Sequence, residues 1–520
     1  MHWAYKIANE LINKYPNKDT YVCASGISPS GSVHIGNFRE VLTTYFVVKA
    51  LNNLGKNTKF IFSWDDYDRF RKVPKNVDPN FQQYIGKPYV DIPDPFGCHS
   101  SYAEHFESEF EYSLKMFGIE IEFIYQHREY RSGRYNTQIL HAIRQRKEIY
   151  DNLMKYKTNQ PSKEARDSFY PITLYCENCG KDDTEIIHFD EQNEMVEYSC
   201  TCGFNHKVYI LQANHIKLNW KIDWPMRWML EDVIFEPGGR DHSSETGSFN
   251  VSKEIAKSIF GYEAPHYTPY DFIGIKGENG KMSSSTGNSI TPNDLLKIYL
   301  PEIILFMFAK YKPTTAFNIG MDEDVLKNYT EYERFKLSYI NHSLQDEDIK
   351  YAIRLSEISK TNEALPKFSQ IASVLPLVNF NVNLLQNVLE KTGVHYDIVS
   401  IKKISDRAEN WIKDCYPSKN TIVCQQKATE FYQTLNTNER NWVHQLKTLV
   451  ESHINLIDEQ FMKNVYSICH NDDKKIMKAN QKQLFTIVYR LVLNNPMGPP
   501  LPLLIQAIGK DKLIYLLDFQ

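Results

Sequence analysis

Residues 21–62 limit the fold more than any other part of the chain, because they read as one strand–helix–strand unit. Tyr21-Val22-Cys23-Ala24 is a short run suited to a buried strand, and the small-residue loop SGISPSGS follows it. Residues 38–54 then carry Val41, Leu42, Tyr45, Phe46, Val48 and Leu51 at helical spacing, and Gly55 stops the pattern. Lys59-Phe60-Ile61-Phe62 is the second strand and runs into SWDDYD. Two parallel strands joined by a right-handed crossover belong to an open α/β sheet, where ligands bind at the carboxyl ends of the strands. The glycine-serine loop and the cluster Asp65, Asp66, Asp68 are therefore expected on one rim.

At 520 residues the chain exceeds the roughly 250–300 residues that one core supports, so several domains are expected. Residues 1–300 read as a Rossmann-type α/β domain with an insertion over about 93–210, polar and helical first and cysteine-bearing from about 171. Residues 301–380 read as a helical connector and residues 381–520 as an all-α domain. Lys+Arg 60 against Asp+Glu 64 gives a charge of −4, which excludes coating of nucleic acid, DNA included, by bulk charge. A local basic surface remains compatible with it. The first residues carry Lys6, Glu10, Lys14 and Lys18 and no apolar core, unlike a signal peptide. The run Ile303 to Ala309 falls short of the ~20 residues that span a bilayer. Nine cysteines, four of them within 176–202, suit a reducing compartment, and a cytoplasmic protein without a membrane partner is expected.

Two loops carry chemistry. In the first, Pro29-Ser30-Gly31-Ser32-Val33-His34-Ile35-Gly36-Asn37, the glycines let backbone approach a ligand and the helix start offers N–H groups to phosphate. His34 is a donor placed to stabilise charge on that phosphate. In the second, Lys276-Gly277-Glu278-Asn279-Gly280-Lys281-Met282-Ser283-Ser284-Ser285, a lysine and small hydroxyls follow a glycine turn and suit a leaving pyrophosphate. Either alone reads equally as a chain-turning or solvated loop; together on an α/β frame they point to an ATP site.

Cys176-x₂-Cys179 and Cys200-x-Cys202 have the spacing of a four-thiolate zinc ribbon of structural type. His206 in place of one thiolate, and a redox pair, are the alternatives. Cys98, His99 and His105 read as ordinary loop and helix residues, with a second metal site as the alternative.

HIGN with KMSSS resembles the paired signatures of class I aminoacyl-tRNA synthetases. The strings SGISPSGSVHIGNFRE, SWDDYDRFRKVP, DPFGCHSSYAEHF, WKIDWPMRW and GRDHSSETGSF are similar to those of the class I lysyl-tRNA synthetases in particular. Asn37 departs from the second histidine of the general signature, and Ser284-Ser285 replaces its Lys-Ser, which throws more transition-state charge onto Lys281 and Mg²⁺. The resemblance implies that L-lysine attacks ATP to give lysyl-adenylate and diphosphate, and that lysine then passes to the 3′-terminal ribose of tRNA(Lys). It implies His34, Asn37 and Lys281 as catalytic groups, with Pro29, Gly31, Gly36, Met282, Ser283, Ser284 and Ser285 beside them on ATP. It favours Gly26, Ser28, Trp220, His242 and Tyr270 for the lysine pocket. The need for carboxylate and aromatic surface adds Asp65, Asp66 and Asp241 as candidates at the strand rims. Asp65 and Asp66 read equally as helix caps, and Trp220 as core.

The all-α region is an anticodon-binding domain by the same resemblance; by residue type Arg440, Trp442, Lys447, Tyr489 and Arg490 are candidates for stacking on and neutralising RNA, with solvated helix faces as the default reading. A glutamyl-type synthetase, which needs a basic pocket, a shorter small-molecule nucleotidyltransferase and a non-catalytic tRNA-binding paralogue are the rival readings.

Overall fold

Strand β1 (Tyr21–Ile27) runs parallel to β2 (Thr58–Trp64), and the helix Ile35–Asn53 crosses between them. The structure, a computed structural model, describes residues 1–157, 162–277, 290–358, 365–391, 393, 395–453 and 459–519. Both strands continue past their apolar runs, with Gly26 opposite Ser63 and Ile27 opposite Trp64. A Cβ on Gly26 would stand 3.1 Å from the Ser63 carbonyl oxygen, so a glycine keeps the two backbones close where the sheet meets the ligand loop.

Three more parallel strands complete the sheet: β3 (Glu122–Tyr125) beside β2, β4 (Val233–Gly239) beside β1, and β5 (His266–Tyr270) at the far edge. The order β5-β4-β1-β2-β3 sends the chain from β1 to one side first and back to fill the other. The switch lies between β1 and β4, and the crevice at their carboxyl ends is where such sheets bind ligands. Helices cover both faces of a parallel sheet, which is why Tyr21 to Ala24 and Val233 to Phe235 are buried without alternation.

The insertion expected over about 93–210 begins later, because β3 belongs to the main sheet. The helix Tyr102–Met116 packs with it: Phe110 meets Phe38 edge-on at 6.0 Å and Trp64 at 5.9 Å. Four residues are too few to show a strand pattern, and the polar helix before them hid the boundary. Short helices at Asn136–Arg144 and Arg146–Met154 follow, then an antiparallel sheet of Thr184–Asp190, Met195–Cys200 and Asn205–Tyr209.

The chain divides into two compact units, Met1–Leu296 with Leu300–Ile319 and Ser338–Ile358, and Lys297–Tyr299 with Gly320–Leu337 and Ser359–Gln520. The region 301–380, expected as one connector, is shared between them. In the first unit the strand Phe317–Ile319 pairs with Ile273–Ile275 and interrupts the otherwise helical sequence after Pro301.

The second unit is helical, and one of its cores gathers Leu446, Val450, Ile487, Leu491, Leu504 and Leu516. Asn436 and Glu439 form a capping box at the start of Thr437–Ser452. The five candidates for RNA contact each have partners within this unit, and Arg440 and Arg490 are also exposed. Lys447 Nζ pairs with Asp518 at 2.7 Å, the Tyr489 hydroxyl donates to the Pro499 carbonyl at 2.6 Å, and Arg440 donates to the Gln433 carbonyl at 2.7 Å. The Arg490 guanidinium lies 5.4 Å from the Phe431 ring, and Trp442 packs on the core. On the helix Lys474–Leu493, Lys474, Lys478 and Lys482 are exposed and recur every four residues, which puts them on one face. Among the described residues no single helix is long and apolar enough to cross a membrane.

Candidate active site

The helix Ile35–Asn53 starts on His34, whose backbone is extended and whose Nδ1 accepts from the Asn37 N–H at 3.3 Å. That bond assigns the ring proton to Nε2. A Cβ at Gly36 would stand 2.9 Å from two atoms of the His34 ring, so a side chain there would displace the imidazole from the first turn. Among the described residues the N–H groups of Ile35, Asn37 and Phe38 are taken by Ile290 and His34, which leaves the Gly36 N–H and the helix dipole to favour an anion at the end of β1. Pro29 and Gly31 lie buried in the loop leading to it.

Lys281, Met282, Ser283, Ser284 and Ser285 lie outside the described residues, but the backbone on both sides of them is tied to this helix or to its neighbourhood. The Ile35 N–H donates to the Ile290 carbonyl at 3.0 Å, and the Lys276 N–H donates to the Ile319 carbonyl at 3.0 Å. Arg39, buried one turn along the helix, donates to the carbonyls of Asp271 at 2.8 Å, Lys312 at 2.9 Å and Thr315 at 2.8 Å. Two loops far apart in sequence are thus rooted beside each other.

A cavity of about 540 Å³ opens in the same crevice. Its wall includes Gly26, Ser28, Asn37, Asp65, Trp220, His242 and Tyr270, all expected from the sequence, and adds Glu40, Asp68 and Lys217. A recess of about 70 Å³ shares Gly26, Glu40, Asp65, Trp220 and His242 with it and also takes in Trp224 and Glu236. Asp241 is exposed in the short turn Arg240–His242 and stays out of both walls, where His242 stands instead. Trp220 serves both expected roles, lining the cavity and stacking on Trp224 at 5.0 Å and 17°.

Glu40 is the group that sequence reasoning missed. Its Oε1 accepts from the Gly26 N–H at 3.1 Å and its Oε2 from the Tyr270 hydroxyl at 2.8 Å. Burial drives its carboxyl up to about 8, against the pull of those two donors toward the ionised form. Burial likewise raises Glu236 to about 7, although the Trp228 indole N–H donates to it at 2.6 Å. Asp65 is already matched: Arg227 donates to it at 2.8 Å and reaches Asp223 at 3.1 Å. Asp66 does not cap a helix after its own strand; it accepts from the His127 N–H at 2.7 Å in the helix Gln126–Arg131, which follows β3 and has Tyr125 as its N-cap. The sequence did hold a signal for Glu40: it follows Asn37 by three residues on a helix, hence on the same face.

The insertion brings Cys176, Cys179, Cys200 and Cys202 together with all four sulfurs within 4.8 Å of one another. The pairs Cys176–Cys202 and Cys179–Cys200 are 3.7 Å apart, far beyond a disulfide bond. A zinc tetrahedron with bonds of about 2.3 Å has sulfur–sulfur edges of about 3.8 Å. His206 turns to Glu177, and the fourth sulfur of the group is that of Cys202. The Phe204 N–H, followed by Asn178, lowers the Cys202 thiol to about 6. A second group of donors, Asp94, Cys98, His99 and His105, also lies within 4.8 Å. Cys98 Sγ is 3.1 Å from His99 Nδ1 and 3.3 Å from His105 Nδ1. Burial works against the Asp94 charge, but the N–H groups of Phe96, His99 and Cys98 prevail and bring its carboxyl down to about 2. Asp94 and the spacing across a loop into the helix Tyr102–Met116 were the parts not legible before.

A parallel sheet with its crevice at the strand switch, a His-x-Gly-Asn helix start and a second lysine-serine loop rooted beside it define the catalytic frame of a class I aminoacyl-tRNA synthetase. Residues 1–362 match the family described as tRNA synthetases class I (K). The chain is 36% identical over 521 residues to the Lysine--tRNA ligase of Borreliella burgdorferi, covering 98% of both chains. It is 33% identical over 527 residues to that of Treponema pallidum (99% of this chain, 97% of the relative). With that of Pyrococcus horikoshii it shares 33% identity over 525 residues (99% and 98%). The chain belongs to the class I lysyl-tRNA synthetases.

Proposed function

We propose that the crevice between β1 and β4 is where this synthetase joins L-lysine to AMP before passing it to tRNA(Lys). The observation that carries the proposal is one helix face presenting both Asn37, beside the phosphate-binding turn, and Glu40, a carboxyl that becomes the counter-ion when a cation enters, to a single cavity. MgATP lies with its phosphates over the first turn at His34, Gly36 and Asn37, and with its diphosphate reached by Lys281 and Ser283, Ser284 and Ser285. The lysine stem lies along Trp220, and its ε-ammonium meets Glu40, which Gly26 and Tyr270 hold in place. The substrate carboxylate attacks the α-phosphorus, the bond to the diphosphate breaks, and no protein nucleophile takes part. Positioning and charge neutralisation supply the catalysis. An acidic, tryptophan-lined wall suits an ammonium and repels the carboxylate side chain that a glutamyl-type enzyme accepts. Lysine-dependent exchange of diphosphate into ATP tests the proposal.

The raised carboxyl of Glu40 has a measurable consequence. With a pKa of about 8 in the empty pocket it is mostly protonated at pH 7, and an adjacent ammonium favours the carboxylate. Lysine binding at pH 7 is therefore expected to release close to one proton, seen by calorimetry in buffers of different ionisation heat. Release should fade above pH 9 and vanish in Glu40→Gln; uptake of a proton, or release that survives in Glu40→Gln, contradicts the assignment.

The proposal includes two structural zinc ions, one on Cys176, Cys179, Cys200 and Cys202 and one on Asp94, Cys98, His99 and His105, each with four protein donors and no open position. Metal analysis should find about two zinc per chain, about one in Cys176→Ser and about one in His105→Ala. Unchanged stoichiometry removes the substituted residue as a ligand. The helical second unit reads the anticodon arm, with the lysine face of Lys474, Lys478 and Lys482 as its phosphate contact, and the enzyme works in the cytoplasm.

A further inference from the structure

The cavity wall holds a cation that the assignments above leave without a task. Lys217 sits in the strand Ile216–Leu218, paired with Ile172–Leu174 opposite Thr173, and its side chain is 7% exposed. Both Lys217 and Thr173 line the cavity. An ammonium has three donors, and among the described residues the protein offers this one a single acceptor, Asp68. The Tyr130 ring lies 5.8 Å away. Burial works against the charge on Lys217, but Asp68, Asp223 and Asp65 prevail, so it remains an ammonium at neutral pH. A buried cation with donors to spare is costly unless something else completes its shell.

The position of Lys217 says what that partner is. The second oxygen of Asp68 accepts from Ser28 Oγ at 3.0 Å, which ties the pair to the loop after β1 that leads to His34. Substrate lysine carries two ammonium groups and one carboxylate, and the carboxylate must lie next to the α-phosphate over that same loop. Arg227 pairs with Asp65 and Asp223 and Arg69 with Asp182 at 3.2 Å, whereas Arg71, which also lines the cavity, is exposed and lacks the burial of Lys217.

We propose that Lys217 receives the α-carboxylate of the substrate, with Asp68 and Ser28 holding the ammonium in place. The inference rests on the lysine-activating reading of the pocket and assigns the end of the substrate opposite Glu40. One carboxylate oxygen donates its electron pair to the α-phosphorus as the bond to the diphosphate breaks, and the other stays on Lys217 as the carbonyl oxygen of the adenylate. The ion pair is strongest before the reaction, since the carboxylate loses its charge on forming the mixed anhydride. Lys217 therefore contributes mainly to lysine binding and to the direction of attack.

Binding of lysine and of lysinol, which has a hydroxymethyl group in place of the carboxylate, tests this on the full-length enzyme. Lys217→Met should weaken lysine by about 10–100-fold and lysinol by no more than about twofold. Lys217→Arg should keep most of the preference for lysine. The double variant Lys217→Met with Asp68→Asn, which leaves no unpaired buried carboxylate, should show the same split as Lys217→Met. Equal weakening of both ligands in the single and double variants makes Lys217 a structural counter-ion and overturns the proposal, as does unchanged lysine affinity. A wild-type enzyme that binds neither ligand overturns the functional reading itself, a result told apart from failure of the Lys217 assignment before any variant is made.

Discussion

Lys281→Ala is expected to slow lysyl-adenylate formation by about 10²–10³-fold while lysine binding stays within about twofold of wild type. Charge on the departing diphosphate builds as its bond to the α-phosphorus breaks, so a cation beside it stabilises the transition state more than the bound substrates. The general class I signature spreads this task over two lysines, whereas here Ser284 and Ser285 follow Met282-Ser283 and Lys281 is the cation of that run. Both sides of its loop are anchored, by Ile290 to Ile35 and by Arg39 to the carbonyls of Asp271, Lys312 and Thr315. Rapid-quench measurement of adenylate and calorimetry with lysine check the result together. Parallel loss of rate and of lysine affinity would instead make Lys281 a ground-state contact.

Glu40→Gln should lower kcat/KM for lysine by about 10²–10³-fold, because removing one member of a buried charge pair costs about 3–4 kcal/mol. Glutamine keeps an oxygen for the Gly26 N–H and is nearly isosteric, so the loss reports charge and not shape. The pH profile separates this from general damage. Below pH 8 the wild-type enzyme must release the Glu40 proton to bind lysine, so its affinity is expected to fall about tenfold per pH unit until the pKa of the complex is reached. Glu40→Gln has no such proton, and its lysine affinity should fall far less steeply over the same range, with Glu236 at about 7 still titrating in the recess. A slope that persists undiminished in the variant places the titrating group elsewhere.

Much of the frame was legible because it rests on local patterns. The apolar run at Tyr21, the helical spacing from Val41 to Leu51 and the second run at Lys59 forecast β1, its helix and β2, with ends off by a few residues where Ser25, Gly26 and Ser63 pair without being apolar. The placement of β3 was not legible, since Glu122 to Tyr125 is too short to alternate and follows a polar helix. Of the cavity residues, Gly26, Ser28, Asn37, Asp65, Trp220, His242 and Tyr270 were singled out from the sequence, and Glu40 and Lys217 were not. By sequence pattern alone nothing sets Glu40 apart from the other polar positions of its helix or Lys217 from the other lysines; the tertiary fold turns them toward the cavity. Asp241 was the reverse case, because an acidic residue in a polar loop carries no information on which neighbour faces inward. Among the C-terminal candidates, Lys447 and Tyr489 are polar at one end, and those ends meet Asp518 and Pro499 within their own unit, contacts between distant positions that no local pattern shows.

The most direct test of the account is exchange of labelled diphosphate into ATP, measured with each amino acid in turn, with and without tRNA. Exchange driven by L-lysine, and lost on adding Glu40→Gln or Lys281→Ala, is the predicted result. Exchange driven by glutamate in place of lysine, or no exchange and no charging by a protein that still binds tRNA, would contradict it.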